Sequence, residues 1–505
     1  MTVNTLQEAV AAQAHRQDAT VTFGTSAARE QLTYPVFAEQ IAAAAGGFAD
    51  QGVRPGDRVL LRVTGSREGV LALLGLMHLG AVPVSVKPRV PGAMMGSYVA
   101  MVTEQQGARY ALRLSGPGLT ELRLELRPRS ARGPEPGERD GLAFVQYTSG
   151  STGMPRPIPL SHRAVLGNIE AIGAVAGMKP GHAGLIALPL HHDMGLIGVL
   201  TSLVRGIGLV VEEPGAFLRR PLAGLRLVRE AESVHSAFPD FMLRYLAARM
   251  TEAADGREGL DPGLLRSWRT VFCGAEPIRP RSVGAFLDAV GPWGFDPGAL
   301  VFCYGLAEAA LMATSHRYTD TATAFRTEGT TTTACLGGTM PGLDLRVVDE
   351  AGRDCADGEV GSVRLRGATL FDGYDGTTDH RTVWFDTGDL GSLHAGRLHL
   401  SGRRGDRVCV GGVNVFATDV EEVAATVPGV AECVVLPRTE SFAVLVVPER
   451  GRTVDTDRLA ALVAAEFGAA PERVMAVAHS ALSRTASGKP ARAHMLTRLE
   501  EGALG

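Results

Sequence analysis

Short apolar runs alternating with helical patterns set the strongest limit on how this chain folds. "TYPVFAEQIAAAAGGFADQG" has the spacing of an amphipathic helix, and "PGDRVLLRV" then turns at Pro55-Gly56 into a strand over Asp57 to Val63. The most apolar stretch, "GVLALLGLMHLGAVPVSV" from Gly69, is long enough for a membrane span. His78, Gly80 and Pro83 break it, so it reads as a buried helix followed by a buried strand. "ARYALRL" follows as a further strand. This alternation predicts an α/β fold, a large layered N-terminal domain with parallel sheets.

A second composition boundary falls near "LSGRRGDRVCVGG", Leu400 to Gly412. Beyond it a helix ("DVEEVAATV"), two strands ("AECVVLP", "SFAVLVVP"), a helix ("DTDRLAALVAAEFG") and a strand near Met475–Ala478 predict a small α+β C-terminal domain. It has roughly 100 residues, an ordinary domain size. The expected division is 1–404 and 405–505. Ser115 to Asp140 is rich in Pro, Gly and charge and reads as a surface connection, with "LTELRLEL" as a candidate strand.

Composition narrows the function classes. The net charge is −4 with scattered basic residues, so no nucleic-acid partner is expected. The six cysteines form no CxxC pair, which speaks against a zinc site or a disulfide framework. With a polar N-terminus lacking an apolar signal core, this predicts a cytoplasmic protein.

The candidate chemistry lies in short motifs. "GLAFVQY" feeds "TSGSTG", Thr148, Ser149, Gly150, Ser151, Thr152 and Gly153, whose hydroxyls and glycines suit a phosphate cradle or a plain polar turn. No Gly-Lys-Ser/Thr follows, so it is not the usual P-loop. Instead come three alternate prolines, Pro155, Pro157 and Pro159. "LPLHHDMGLIG" holds His191, His192 and Asp193, and reads equally as a helix start with Asp193 as N-cap. "CGAEP" (Cys273–Pro277) reads as a sharp turn at a strand end. "CYGLAEAAL" offers Tyr304 as a flat face for a purine and Glu308 as a hard oxygen ligand for Mg²⁺. "TGDLG" offers Asp389 to a ribose, "GRRGD" offers Arg403 to phosphate or ribose oxygens, and "SGKPAR" puts Lys489 on a loop. Taken singly, each reads as structural or solvated.

Their order changes the reading. Hydroxyl/Gly loop, His-rich turn, GAEP, YGLAE, TGD, GR and SGK together resemble the adenylate-forming superfamily of acyl-CoA synthetases, fatty-acyl-AMP ligases, non-ribosomal adenylation domains and luciferases. The resemblance covers nearly the whole chain. "PLHHDMGLIG", "CGAEPIRP", "YGLAEAALMAT" and "GGVNVFATDVEEV" look most like the fatty-acyl-AMP ligases.

The resemblance implies two half-reactions at a site between a large domain and a mobile lid. A carboxylate attacks the α-phosphate of Mg·ATP, releasing pyrophosphate; the lid then turns about a hinge at Asp406, and a thiol expels AMP. It implies Lys489, His192, Glu308 and Arg403 as catalytic residues, with Glu308 holding Mg²⁺. Thr148 to Gly153 would hold phosphate. Gly274, Ala275 and Glu276 would line the adenine, and Tyr304 beside Gly305 would stack on it. Asp389 would hold the ribose. ATP/AMP, Mg²⁺ and CoA are the expected cofactors and co-substrates. The partners are a hydrophobic carboxylic acid and CoA or an acyl carrier protein. "HSAFPDFMLRYL" (His235–Leu246) is expected to line the acid pocket, with Asp240 a solvated acid or a contact for an amino group.

Two departures from the family pattern bear on the activity. Arg156-Pro157 stands where Lys-Gly is usual, which removes an N–H and fixes φ where the loop closes over pyrophosphate. The span from Ala313 to Leu345 is shorter than the segment that restrains the lid in fatty-acyl-AMP ligases, which favours an acyl-CoA ligase. The alternatives are an enzyme limited to one half-reaction, a carrier-loading acyl-AMP ligase, and a catalytically silent acyl-adenylate-binding protein. A luciferase-type oxygenase fits the scaffold, but no residue singles it out.

Overall fold

Two sheets with parallel interiors and antiparallel edges carry most of the chain. The computed structural model describes residues 3–504 apart from 25–28, 87–91, 128–132, 148–155, 232, 256–261, 329–330, 375, 411–412 and 485–489. In the larger sheet, strands Thr20–Phe23, Gly208–Val211, His182–Ile186, Ser233–Phe238, Trp268–Cys273 and Leu300–Gly305 run parallel in that spatial order. Glu30–Thr33 and Met312–Arg317 close its two sides antiparallel. The second sheet runs Thr120–Leu122, Tyr110–Leu112, Arg58–Leu61, Val82–Ser85, Leu142–Tyr147, Pro157–Ser161, and its last pair is antiparallel. The predicted strand at 57–63 is thus four residues long, and "LTELRLEL" yields only three in strand form.

The apolar stretch from Gly69 is a buried helix and then a buried strand. Ser66 caps helix Arg67–His78 by accepting from the Gly69 N–H at 3.2 Å. The helix is buried from Gly69 to Met77 because Gly75 lets it lie directly on Ala44 of helix Tyr34–Asp50. No described helix is long and apolar enough to cross a membrane.

The prolines have a simple explanation. Pro157 and Pro159 sit in an edge strand that pairs only with Leu142–Tyr147. Residues two apart on a strand turn their backbone groups the same way, so both prolines can face the open side without breaking the ladder.

The sequence reading of parallel sheets misses a third layer. Leu343–Val348, Gly361–Gly367, Phe385–His394 and Arg397–Arg403 form a four-stranded antiparallel sheet. It packs with the large core, which extends from Leu6 to Leu400 around Trp268 and its edge-on neighbours Phe238, Phe286 and Phe295.

A separate core begins at Val408 and joins Val420, Val435, Phe442 and Leu459. It is built from hairpin Arg407–Val410/Val413–Phe416 and the sheet Val430–Pro437, Phe442–Pro448, Arg473–Ala476. Helices Ala417–Ala424 and Thr456–Phe467 complete it, and helix Arg492–Glu500 packs in a second small cluster, where Met495 joins Val434, Leu436 and Leu445 of the same sheet. The architecture is therefore a large α/β N-terminal domain and a small α+β C-terminal domain.

Asp240 differs from both sequence expectations. It is 2% exposed, and its carboxylate accepts from the Arg279 N–H at 3.0 Å and the Ser282 hydroxyl at 2.7 Å. It joins two helix starts and is neither solvated nor aimed at an acid pocket.

Candidate active site

Parallel strands Trp268–Cys273 and Leu300–Gly305 end side by side, at the carboxyl edge where α/β sheets bind ligands. Gly274 is required there: a Cβ would lie 2.7 Å from the Cys303 carbonyl oxygen. Ala275 follows with φ of 68°, an uncommon conformation for a residue with a side chain. The turn exposes the backbone of Gly274 and Ala275 to a cavity. The Glu276 carboxylate points elsewhere, accepting from the Phe241 N–H at 2.6 Å at the start of helix Asp240–Asp255.

Tyr304 and Asp389 come from different sheets and meet here. The buried Tyr304 hydroxyl donates to Asp389 Oδ2 at 2.7 Å, and Arg403 Nε lies 3.3 Å from Asp389 Oδ1. Asp389 and Arg403 are directly opposite each other across adjacent strands, so the sheet register itself sets this pair. Burial and the Asp389 charge push the Tyr304 phenol far up, so it remains a donor.

A second chain of contacts runs beside the first. Tyr374 donates to Glu308 Oε1 at 2.7 Å, and the Arg156 guanidinium lies 5.5 Å from the centroid of the Tyr374 ring. Burial raises the Glu308 carboxyl, as does Asp193, while the Tyr374 hydroxyl and Arg403 oppose the shift. Two acids and an arginine thus feel one another at the strand ends, the pattern of a functional site. Glu308 offers hard oxygen chemistry of the kind Mg²⁺ takes with one protein carboxylate and substrate phosphates. Among the described residues no cluster of three or more ligating side chains forms, so the metal fit rests on this one carboxylate.

The His191 and His192 rings lie against each other tilted by 46°, centroids 4.3 Å apart. His192, not Asp193, is the N-cap residue of helix Asp193–Val204. Asp193 and Met194 reach the cavity.

That cavity spans about 750 Å³ counting the open space at its mouth and runs inward between helix Asp193–Val204 and the large sheet. Gly274, Ala275, Tyr304 and Gly305 line its mouth, and Ile172, Met178, Ile186, Phe272 and Met312 its walls. Of "HSAFPDFMLRYL" only His235, Ser236 and Ala237 line it; Phe238, Met242, Leu243 and Leu246 belong to the core. Sequence reasoning missed Thr201, Ser202, Gly184 and Gly198, which also line it. The two glycines carry no motif, and only the close approach of Ser202 to Gly184 and of Ile186 to Gly198 explains them.

The junction of the domains is short. Arg404 Nη2 bonds Asp386 at 3.0 Å and Ser362 Oγ at 2.9 Å, both on the large domain. Asp406 Oδ1 lies 4.0 Å from Arg492 Nε on the small one. A Cβ on Gly405, between them, would meet nothing within 4 Å. Arg492 also bonds Glu421 Oε1 at 2.6 Å, which ties the first and last helices of the small domain together. Thr148 to Gly153 and Lys489 lie outside the described residues.

Comparison with known proteins agrees with this geometry. The AMP-binding enzyme family matches residues 7–375, and the AMP-binding enzyme C-terminal domain matches 419–489. Rv1013 of Mycobacterium tuberculosis, provisionally named a ligase, is 33% identical over 406 residues, 72% of this chain and 73% of its own. The long-chain-fatty-acid–AMP ligase FadD26 of Mycobacterium marinum is 30% identical over 435 residues, 74% of this chain and 73% of its own. A solved structure from a study of fatty acyl-adenylate ligases of E. coli and L. pneumophila is 26% identical with a TM-score of 0.85. It covers 99% of this chain and 98% of that one. The chain belongs to the AMP-binding enzyme family and is an AMP-forming acid–thiol ligase of the fatty-acyl-AMP ligase-like type.

Proposed function

We propose that the protein joins an acid with a largely apolar chain to a pantetheine thiol through an acyl-adenylate. In the first half, a carboxylate oxygen attacks the α-phosphorus of ATP and pyrophosphate leaves. In the second, a thiol sulfur attacks the acyl carbonyl, its proton is lost, and AMP leaves. The observation that carries this reading is the cavity whose mouth opens beside the Tyr304–Asp389–Arg403 chain.

Each residue has a physical task in this reading. Tyr304 offers its face to adenine, with the Gly274–Ala275 backbone alongside. Asp389 accepts from the ribose hydroxyls, and Arg403 adds a fixed cation near the phosphates. The Thr148–Gly153 loop donates to phosphate oxygens, and His192 flanks the entry of the acid. Mg²⁺, when bound at Glu308, supplies charge neutralisation of the phosphates. Lys489 on the small domain would meet the charge that develops at phosphorus. Domains 1–404 and 405–505 would rotate about Asp406. The clamps on Arg404 and Asp406 to opposite bodies support a hinge between them. Rotation withdraws Lys489 and opens a path for the thiol. A cytoplasmic setting suits the free cysteines.

Free CoA and a carrier-borne pantetheine present the same thiol. Free CoA is the first reading, supported by the compact segment after Met312: helix Thr321–Ala324 and hairpin Phe325–Glu328/Thr331–Ala334 fold back onto the large domain. There Phe325 packs on Phe302, and the Leu336 N–H bonds the Leu398 carbonyl. The carrier is the second reading, supported by near-complete mutual coverage with a fatty acyl-adenylate ligase. The test offers synthetic acyl-adenylate with CoA or with a phosphopantetheinylated carrier domain, read by mass spectrometry. Acyl-CoA supports the first reading, acyl-carrier alone the second, and neither product rejects thioester formation.

A further inference from the structure

The inner end of the cavity is not lined as a plain hydrocarbon pocket. His235 is 3% exposed and Thr201 is 2% exposed, and both line the cavity. His235 Nδ1 and Thr201 Oγ1 are each buried without any hydrogen-bond partner among the described residues. Buried polar atoms are almost always paired, so two orphans in one cavity point to a ligand that pairs them.

The neighbouring polar groups are already engaged. Ser202 Oγ donates to the Gly198 carbonyl at 3.0 Å, and Ser236 Oγ accepts from Trp268 Nε1 at 2.7 Å. A threonine inside a helix commonly bonds back to the carbonyl four residues earlier. Thr103 and Thr251 do so in this chain, at 2.7 Å and 3.0 Å. Thr201, inside helix Asp193–Val204, does not.

The hydrogen-bond pattern fixes what His235 presents. The Lys179 N–H donates to His182 Nδ1 at 3.4 Å, so that nitrogen is an acceptor. His235 Nε2 lies 2.9 Å from the same nitrogen and must be the donor of that pair. Burial pushes the His235 imidazole down to about 3, so the ring is neutral. Its Nδ1 is therefore a bare lone pair. Thr201, as a hydroxyl, both donates and accepts.

The depth of this pair follows from the register. His235 lies opposite Thr270, three residues before Cys273 at the strand end, or about 10 Å inward. Thr201 lies eight residues beyond Asp193 on its helix, about 12 Å along the axis. Among the described lining residues, Asp193 is the only acidic or basic side chain besides His235. Among the described residues no carboxylate waits at this depth for an ammonium group, and no cation for a second carboxylate.

We infer that the acid carries a hydroxyl group on its chain, remote from the carboxyl, which donates to His235 Nδ1 and accepts from the Thr201 hydroxyl. The substrate class is thus a hydroxylated acid of otherwise apolar chain. The inference rests on the acyl-adenylate reading above, with the cavity as the acid pocket. A site built to bond a hydroxyl discriminates strongly against the analogue that lacks it, because its own polar atoms are left bare.

The test uses non-hydrolysable acyl-sulfamoyl-adenosines in matched pairs, plain-chain and hydroxylated, with the hydroxyl walked along the chain. Affinities are measured by calorimetry on the full-length protein and on Thr201→Val. The wild type is expected to bind one hydroxylated member at least about 10-fold tighter than its plain partner. Thr201→Val should weaken that member and tighten the plain one, which a misfolded variant cannot do. Equal binding of every pair by the wild type overturns the inference while leaving acyl-adenylate binding intact. A preference that persists unchanged in Thr201→Val overturns it as well. Failure of every analogue to bind rejects the acyl-adenylate reading itself, and this inference with it.

Discussion

Tyr374 donates its hydroxyl to Glu308 at 2.7 Å while the Arg156 guanidinium covers the Tyr374 ring. The carboxylate assigned to Mg²⁺ is thus shared with a phenol. Removing that hydroxyl frees one Glu308 oxygen for the cation. A hydrogen bond to a charged group contributes roughly 1.5–3 kcal/mol, of which re-solvation returns part. Tyr374→Phe is expected to lower the Mg²⁺ concentration for half-maximal ATP–pyrophosphate exchange by about 5-fold, a shift of about 1 kcal/mol. An unchanged or higher Mg²⁺ requirement would separate Glu308 from the metal.

Asp389 accepts from Tyr304 and pairs with Arg403, so its loss strands a buried phenol and frees an arginine. Asp389→Ala should raise the KM for ATP by roughly 10- to 100-fold, the scale of losing one charged hydrogen-bond partner of a ligand. Tyr304→Phe keeps the ring and loses only the phenol bond, so its effect on KM should be clearly smaller. Similar damage from both variants would mean that the pair acts only in holding the two sheets together.

The edge position of Pro157 and Pro159 makes the proline-rich loop end testable without dismantling the sheet. Arg156→Lys with Pro157→Gly restores an N–H and backbone freedom where the loop would close over pyrophosphate. Exchange should rise, transfer from supplied acyl-adenylate should stay level, and Tm should change by only a few degrees. Vigorous exchange by the unaltered protein, with no gain in the double variant, would make the prolines a neutral edge feature.

His162 gives the protein an acid-sensitive joint. Its Nδ1 accepts from the Leu6 N–H at 3.2 Å, and burial pushes the imidazole down to about 4. The unfolded chain takes up this proton near 6.5. The contribution is therefore complete above pH 6.5 and is lost as pH falls toward 4, amounting to about 3 kcal/mol. Denaturant titrations across this window should show stability falling with pH, and His162→Gln should flatten the fall. A wild-type profile that is level from pH 6.5 to 4 contradicts the neutral, buried imidazole.

The legible parts of this molecule were those with a local physical signature. Helix Arg67–His78 announced itself by an apolar run that ends at His78 and Gly80, and the four central elements of the small domain and its last strand fell within a few residues of their patterns, while hairpin Arg407–Val410/Val413–Phe416 and helix Arg492–Glu500 were not read. The antiparallel third sheet was not read: Gly361–Gly367 does alternate buried and half-buried residues with period two, but the run is short, and Phe385–His394 carries no such alternation. At the site, ordered motifs identified Tyr304, Glu308, Asp389 and Arg403, but nothing in the sequence said that Tyr304 would reach Asp389. That contact joins residues 85 positions apart and depends on how two sheets meet. Tyr374 and Thr201 lay in no motif, and His235 only opened the stretch expected to line the acid pocket; their importance comes from which atoms the fold leaves paired or bare.

The central claim is that one residue on the small domain serves one half-reaction and is carried away for the other. Lys489→Ala, assayed separately for ATP-dependent acyl-adenylate formation and for thioester formation from supplied acyl-adenylate, tests it most directly. The account predicts a loss of about 10²- to 10³-fold in the first, the scale of removing one positioned transition-state donor, and little change in the second. Equal loss in both half-reactions would contradict it.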